Sequence, residues 1–135
     1  MPVNTFDNAN DFSYIVNMKS RKKEPKRYAP LGEFETLVLM AILRLGEDAY
    51  GMRIRVELEE RAGRSSSYGA LYTTLDRLEQ KGYVSSSTGD PTPERGGRAK
   101  KYFHIKAPGE AALKQALAAT RSMVRGLEPV LGGGL

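Results

Sequence analysis

Ser65-Ser66-Ser67-Tyr68-Gly69-Ala70-Leu71-Tyr72-Thr73-Thr74-Leu75-Asp76-Arg77-Leu78-Glu79-Gln80-Lys81-Gly82 is the stretch on which the fold turns. Leu71, Leu75 and Leu78 recur at steps of four and three, which puts them on one face of an α-helix. The serines supply side-chain oxygens for a helix start, and Gly82 after Lys81 supplies the residue that takes positive φ past a last turn. A helix is therefore predicted from about Ser67 to Lys81. On its wheel Gly69, Thr73, Asp76 and Gln80 lie opposite the leucines, with Arg77 beside them and Tyr68 and Tyr72 flanking. Small Gly69 and Ala70 permit close approach to a duplex. Thr73 and Arg77 carry groups suited to base edges or phosphates, and the phenols of Tyr68 and Tyr72 can donate to phosphate oxygens. Packing at the edge of the core is the competing role for Tyr72.

Downstream, Tyr83-Val84-Ser85-Ser86-Ser87 is rich in turn-formers, and Lys101-Tyr102-Phe103-His104-Ile105 alternates like a strand. Between them Pro91, Pro93, Gly96 and Gly97 shape a turn from which Arg95, Arg98 and Lys100 project charge. Helix, strand, basic glycine-rich turn, strand: the order reads as a recognition helix followed by a wing.

Upstream, Phe34, Leu37, Val38, Ala41, Ile42 and Leu45 follow helical spacing, so a first helix is predicted from Gly32 to Leu45, stopped by Gly46. A second helix, capped by Asp48 and ending at Gly63, carries Ile54 and Leu58. Its acids Glu57, Glu59 and Glu60 are expected to pair along the helix with Arg53, Arg61 and Arg64. A fourth helix is predicted from Pro108 to Leu127, with proline in its first turn. There Leu113, Leu117, Thr120, Val124 and Leu127 recur at steps of four, three, four and three. That narrow stripe is of coiled-coil type; it reads as a dimer seam, with packing against the chain's own first helix as the alternative. Residues 129–135 read as a flexible tail ending in glycines.

The chain has 135 residues, enough for one domain with appendages, and a net charge of +5. Charge is unevenly placed. From Leu31 to Gly82 acids outnumber bases by two, whereas Tyr83–Lys106 and Met1–Pro30 each carry a net +3. The hairpin thus faces a polyanion, or is simply a solvated surface; charge alone leaves both open. Residues 1–30 read as a flexible basic arm, with Lys19, Arg21, Lys22, Lys23, Lys26 and Arg27 at its end, and Met18 as an alternative start.

Several chemistries find no support. With no cysteine, disulfides and thiolate metal sites are excluded. The longest apolar run, Leu37–Leu43, is far short of the roughly 20 residues of a membrane span. No secretory signal precedes it, and a soluble cytoplasmic protein is expected. His104 is the lone histidine and sits in a strand pattern, so neither metal nor cofactor is expected, and no enzyme.

At Leu31-Gly32-Glu33-Phe34-Glu35, Ala49-Tyr50-Gly51, Gly69 to Gly82 and Pro91 to Phe103 the chain resembles the PadR family of bacterial transcriptional regulators, in its branch with a short C-terminal part. The resemblance covers about Leu31 to Leu127. It implies a mostly α fold with a small β-hairpin, a winged helix-turn-helix over residues 31–106 with a dimerisation helix over 107–128. It further implies a homodimer on palindromic operator DNA, usually a repressor released by a small ligand. Expected DNA contacts are Ser67, Tyr68, Tyr72, Thr73, Arg77, Arg95, Arg98 and Lys100; expected dimer contacts are Phe34, Leu113, Leu117, Thr120, Val124 and Leu127. Phe34, Tyr50 and Met52 are candidates to line an effector cavity between subunits. Thr73 departs from the proline common at that position in the family, and the last helix lacks the usual Ser/Thr cap. The alternative is a winged-helix protein-interaction module without DNA.

Overall fold

The computed structural model describes residues 27–89 and 99–133. Helix α1 (Glu33–Leu45) leads through a 3-10 turn (Gly46–Asp48) into α2 (Gly51–Ala62), and α3 (Tyr68–Gln80) follows. Strands β1 (Val84–Thr88) and β2 (Lys101–Ile105) form the hairpin, and α4 (Ala107–Val124) and a short α5 (Glu128–Leu131) end the described chain.

The leucine spacing of the third helix is realised as read. Leu71, Leu75 and Leu78 are fully buried, together with Val38 and Leu39 of α1, Ile54 of α2 and Phe103 of β2. Each such side chain contributes about 1.5–3 kcal/mol over leaving it in water. The core therefore sits between the three helices and the inner face of the hairpin. β1 and β2 pair antiparallel, with Val84 opposite Ile105 and Thr88 opposite Lys101. The serines of β1, which read as turn-formers, lie on a strand whose first residue faces the core.

Two boundaries differ from the sequence expectation. Asp48 does not cap α2, because it belongs to the 3-10 turn and the chain beyond it stays extended. Ala49 and Tyr50 form a third, bridge-like strand: the Phe103 N–H donates to the Ala49 carbonyl at 2.8 Å, and Tyr50 bridges Tyr102. Helix α2 can start only after that pairing, at Gly51. At the other end, α4 stops at Val124 rather than Leu127. Gly126 takes φ 92°, and Pro129–Leu131 turn again as part of α5 rather than trailing as a tail.

Helix α1 opens with half of a capping box. The Gly32 N–H donates to Glu35 Oε1 at 2.9 Å, but glycine has no side chain to reciprocate. The same carboxylate accepts the Lys81 ammonium at 3.0 and 3.2 Å, tying the start of α1 to the end of α3. Burial pushes the Glu35 carboxyl up; the Gly32 hydrogen bond and the Lys81 charge, with Arg77 beyond, outweigh it and hold it below its ordinary value. The expected arginine ladder on α2 is only partly realised. Glu57 pairs with Arg61 at 2.9 Å and with Arg44 of α1 at 3.2 Å, whereas Arg64 crosses to Glu33 at 3.1 Å.

The arm is described from Arg27 on; its basic cluster before that lies outside the described residues. Tyr28 packs edge-on to Tyr83 with ring centres 6.2 Å apart, and its N–H donates to Gln115 Oε1 of α4 at 3.4 Å. Gly109 lets α4 settle onto the hairpin: a Cβ there would stand 2.2 Å from the Tyr83 carbonyl oxygen.

Candidate nucleic-acid interface

Helix α3 is positioned by what lies behind it and by its cap. Ser67 Oγ accepts the Ala70 N–H at 3.0 Å, satisfying one of the four free donors of the first turn. The other two serines do different work: Ser65 donates to Glu59 at 3.4 Å, and the Ser66 carbonyl accepts the Arg55 guanidinium at 2.7 Å. With the leucines turned inward, Gly69, Ala70, Thr73, Asp76, Arg77 and Gln80 are left exposed on one face. Arg77 forms no ion pair and Thr73 no side-chain hydrogen bond with any described residue. Its neighbour Thr74 is buried, its hydroxyl donating to the Ala70 carbonyl at 3.1 Å. The two adjacent threonines thus divide cleanly between the core and the open face.

The two tyrosines divide as well. Tyr68 is exposed yet held from three sides. Its hydroxyl donates to Met52 Sδ at 3.0 Å, the Arg55 guanidinium lies 4.8 Å above its ring, and Tyr72 stacks at 6.3 Å. Tyr72 is half-buried against Phe103, and its hydroxyl lies where a Cβ on residue 51 would be, 2.1 Å away. Gly51 is thus the residue that admits Tyr72, and the Tyr72 phenol takes the packing role at the core's edge. Burial, and to a lesser degree Tyr68, raise the pKa of the Tyr72 phenol.

Beside α3 the base of the hairpin supplies positive charge. Lys100 stands 4.0 Å above the Tyr50 ring, and the Gly89 N–H closes on the Lys100 carbonyl at 2.8 Å. Arg95 and Arg98, with the rest of the hairpin tip, lie outside the described residues. Tyr50, Met52, Tyr68, Tyr72, Lys100 and Lys101 wall an open hollow of about 520 Å³ between the starts of α2 and α3 and the hairpin base. Sequence reading placed Tyr50 and Met52 beside Phe34 in a cavity; the structure puts both in this hollow but leaves Phe34 out of its walls. Phe34 lies half-buried on α1 under the Arg64 guanidinium, 5.3 Å from its ring. Arg55 was missed altogether. Its signal was its place three residues before Leu58, on a helix that must lie beside the start of α3.

The stripe of α4 divides along its length. Leu113 is buried in the chain's own core at 4% exposure and Leu117 packs partly against it. Thr120 is open, Val124 partly covered, and Leu127, beyond the end of α4, is 47% exposed. Met123 and Val130 nearby are open at 76% and 81%. His104 is an exposed strand residue opposite Ser85. Among the described residues no three metal-binding side chains gather, and no helix is long and apolar enough to cross a membrane.

Three helices closed by a two-stranded hairpin, with the polar face of the third helix open beside it, make a winged helix-turn-helix. The model of the Transcriptional regulator PadR-like family matches residues 38–115, more than half the chain, and the protein belongs to that family. Curated proteins offer no significant match. Among solved structures, the chain is similar to the PadR-like transcriptional regulator of Bacillus cereus strain ATCC 14579. The TM-score is 0.60 at 21% identity, over 74% of this chain and 92% of that one. It is likewise similar to the PadR family regulator of Eggerthella lenta DSM 2243, with TM-score 0.57 and 22% identity over 90% and 96%. These two likenesses show the fold. A third structure, of hsRosR in a complex, is 31% identical over 71% of this chain and 76% of that one, with TM-score 0.53.

Proposed function

We propose that this transcriptional regulator is a repressor that binds a palindromic operator as a homodimer and is released by a small effector. The observation that carries the reading is the open face of α3. Thr73, Asp76, Arg77 and Gln80 stand exposed along a helix whose other face is wholly used by the core, beside the Lys100 ammonium. That face presents a hydroxyl, a carboxylate, a guanidinium and an amide, the groups that read base edges in a major groove. Helix α3 supplies base contacts, and Lys100, with Arg95 and Arg98 of the hairpin tip, supplies phosphate contacts that fix register.

Pairing is supported by the exposed end of the α4 stripe. Leu117, Thr120, Val124 and Leu127 continue the spacing begun by Leu113, but nothing in the described chain covers them fully. Two copies joined there would present two α3 helices to half-sites about 34 Å apart. Effector response is supported by a hollow of about 550 Å³ bounded by Tyr28–Leu31, the start of α1 and the middle of α4, next to that stripe. A ligand held there would act on the geometry of the pair.

The test is selection of duplexes from a random pool with the full chain, followed by measurement of stoichiometry and of promoter activity in a reporter strain. Inverted half-sites, two chains per duplex and lower reporter output in the presence of the protein are expected. Recovery of no duplex, or of direct single sites bound by one chain, would overturn the reading.

A further inference from the structure

Four cations of the helical body are paired with carboxylates: Arg44 and Arg61 with Glu57, Arg64 with Glu33, and Lys81 with Glu35. The cations around the open hollow between α2, α3 and the hairpin base are held differently. Lys100 sits 4.0 Å from the centre of the Tyr50 ring, Lys101 5.7 Å from that of Phe103, and Arg55 4.8 Å from that of Tyr68. None of the three forms an ion pair with a described residue. A ring face positions a cation without neutralising it, so the charge stays available to a ligand. No carboxylate lines this hollow, whose walls are tyrosine rings, Met52 and the two lysines. Three other hollows of the molecule each include one, Glu33, Glu57 or Glu128.

Tyr50 adds a hydroxyl that the fold does not use. Its ring is fixed by Tyr102, edge-on at 5.5 Å, and by Lys100 on its face. A phenylalanine ring would make both contacts, and the hydroxyl bonds to no described residue. The neighbouring Tyr68 hydroxyl rests on Met52 Sδ, a weak acceptor that a charged oxygen would displace. The chemistry on offer is therefore two phenol donors and an unpaired ammonium, with apolar surface beside them.

A small ligand in so open a hollow would stay largely in water, whereas small-molecule sites bury most of their ligand. A duplex is different. Tyr68 and Tyr72 belong both to the hollow and to α3, so the backbone flanking the bases met by α3 is brought to this place. Resting on the DNA-binding reading above, we infer that the hollow seats one phosphodiester of each operator half-site. The Lys100 ammonium pairs with the phosphate, the Tyr50 hydroxyl donates to the same group, and the deoxyribose packs against the exposed Met52 and Tyr68. Tyr50, on α2's side of the hollow, is a DNA-contacting residue.

The experiment uses the full-length protein and the duplex recovered by selection. Each phosphate of a half-site is replaced in turn by a methylphosphonate, which removes the charge and keeps the shape. For the wild type, one position is expected to lose on the order of tenfold in affinity, as for a hydrogen bond between charged groups. Lys100→Gln should bind the unmodified duplex weaker by a similar factor and lose its sensitivity at that position alone. Its salt slope should be shallower by about one per chain. Tyr50→Phe should melt as the wild type does and bind about fivefold more weakly, as for one hydrogen bond. Its methylphosphonate penalty should shrink at the same position, while its salt slope stays unchanged, because a neutral donor releases no counterion.

Penalties in both variants that match the wild type at every position, or full affinity of Tyr50→Phe for the unmodified duplex, would overturn the inference while leaving DNA binding intact. Recovery of no duplex would remove the DNA-binding reading itself and this inference with it.

Discussion

Helix α3 buries Leu71, Leu75 and Leu78 completely, whereas α4 buries Ala112 and Leu113 and leaves Thr120 open, with Leu127 exposed just beyond its end. Both helices carry apolar residues at the same narrow spacing, yet their surroundings differ. Helix α3 is packed against α1, α2 and β1, while α4 rests chiefly on α1. A stripe enclosed from three sides becomes core. One supported at a single end becomes a free edge. Spacing identifies an apolar face, but the number of elements around it decides whether the chain itself can cover it. On α3 the consequence is that the opposite face is left exposed, and on α4 that the described residues of the chain leave much of the second half of the helix uncovered.

That contrast can be broken by substitution. Leu75→Ala removes a fully enclosed side chain and should cost about 2–5 kcal/mol in urea unfolding; a loss under about 1 kcal/mol would mean the α3 stripe is not the core it is described as. Gly51→Ala, which sets a Cβ against the Tyr72 hydroxyl, should cost about 1–3 kcal/mol through overpacking. Restoring a smaller ring edge with Tyr72→Phe in that background should recover part of the loss. Ser67→Ala removes the cap of α3 and should cost about 1 kcal/mol.

A smaller effect depends on pH. Because the folded Glu35 carboxyl is held below its ordinary value of 4.5, its pairing with Lys81 stabilises the fold fully above that value. The contribution fades as pH falls through the lowered folded value, so Glu35→Gln should flatten the acid limb of a stability-against-pH curve. An unchanged acid limb would show that the link between α1 and α3 contributes nothing. Val124→Asp lies at the other extreme: subunit stability should shift by less than about 0.5 kcal/mol, while sedimentation should show dissociation to single chains. A Val124→Asp protein that unfolds instead would place this end of α4 inside the subunit's own fold.

Much of the helical plan was legible because it follows local spacing. The leucines of α3, the glycine stops at Gly46, Gly63 and Gly82, and the Ser67 cap all act within a few residues of where they stand. What escaped was decided by distant parts of the chain. Asp48 has the chemistry of a cap, but pairing of Ala49 and Tyr50 with the hairpin some fifty residues later delays the helix. Gly126 did signal the end of α4, but the apolar spacing through Leu127 ran over it.

The candidate interface follows the same rule. The exposed face of α3 could be read from the wheel, since exposure there is the complement of the leucine stripe. Tyr72 could not be assigned, because its place depends on Gly51 of another helix. The hold of Arg55 and Met52 on Tyr68 is likewise a tertiary arrangement that only packing brings about.

Whether the open face of α3 and the basic hairpin beside it bind duplex DNA is read most directly from the affinity of the full chain for its selected duplex as salt is raised. If each of two chains neutralises three phosphates through Lys100, Arg95 and Arg98, affinity should fall on the order of a thousandfold between about 50 and 200 mM salt, and Lys100→Ala should make the slope shallower. Affinity that ignores salt, or a slope untouched by Lys100→Ala together with Arg77→Ala, would contradict DNA binding through this face.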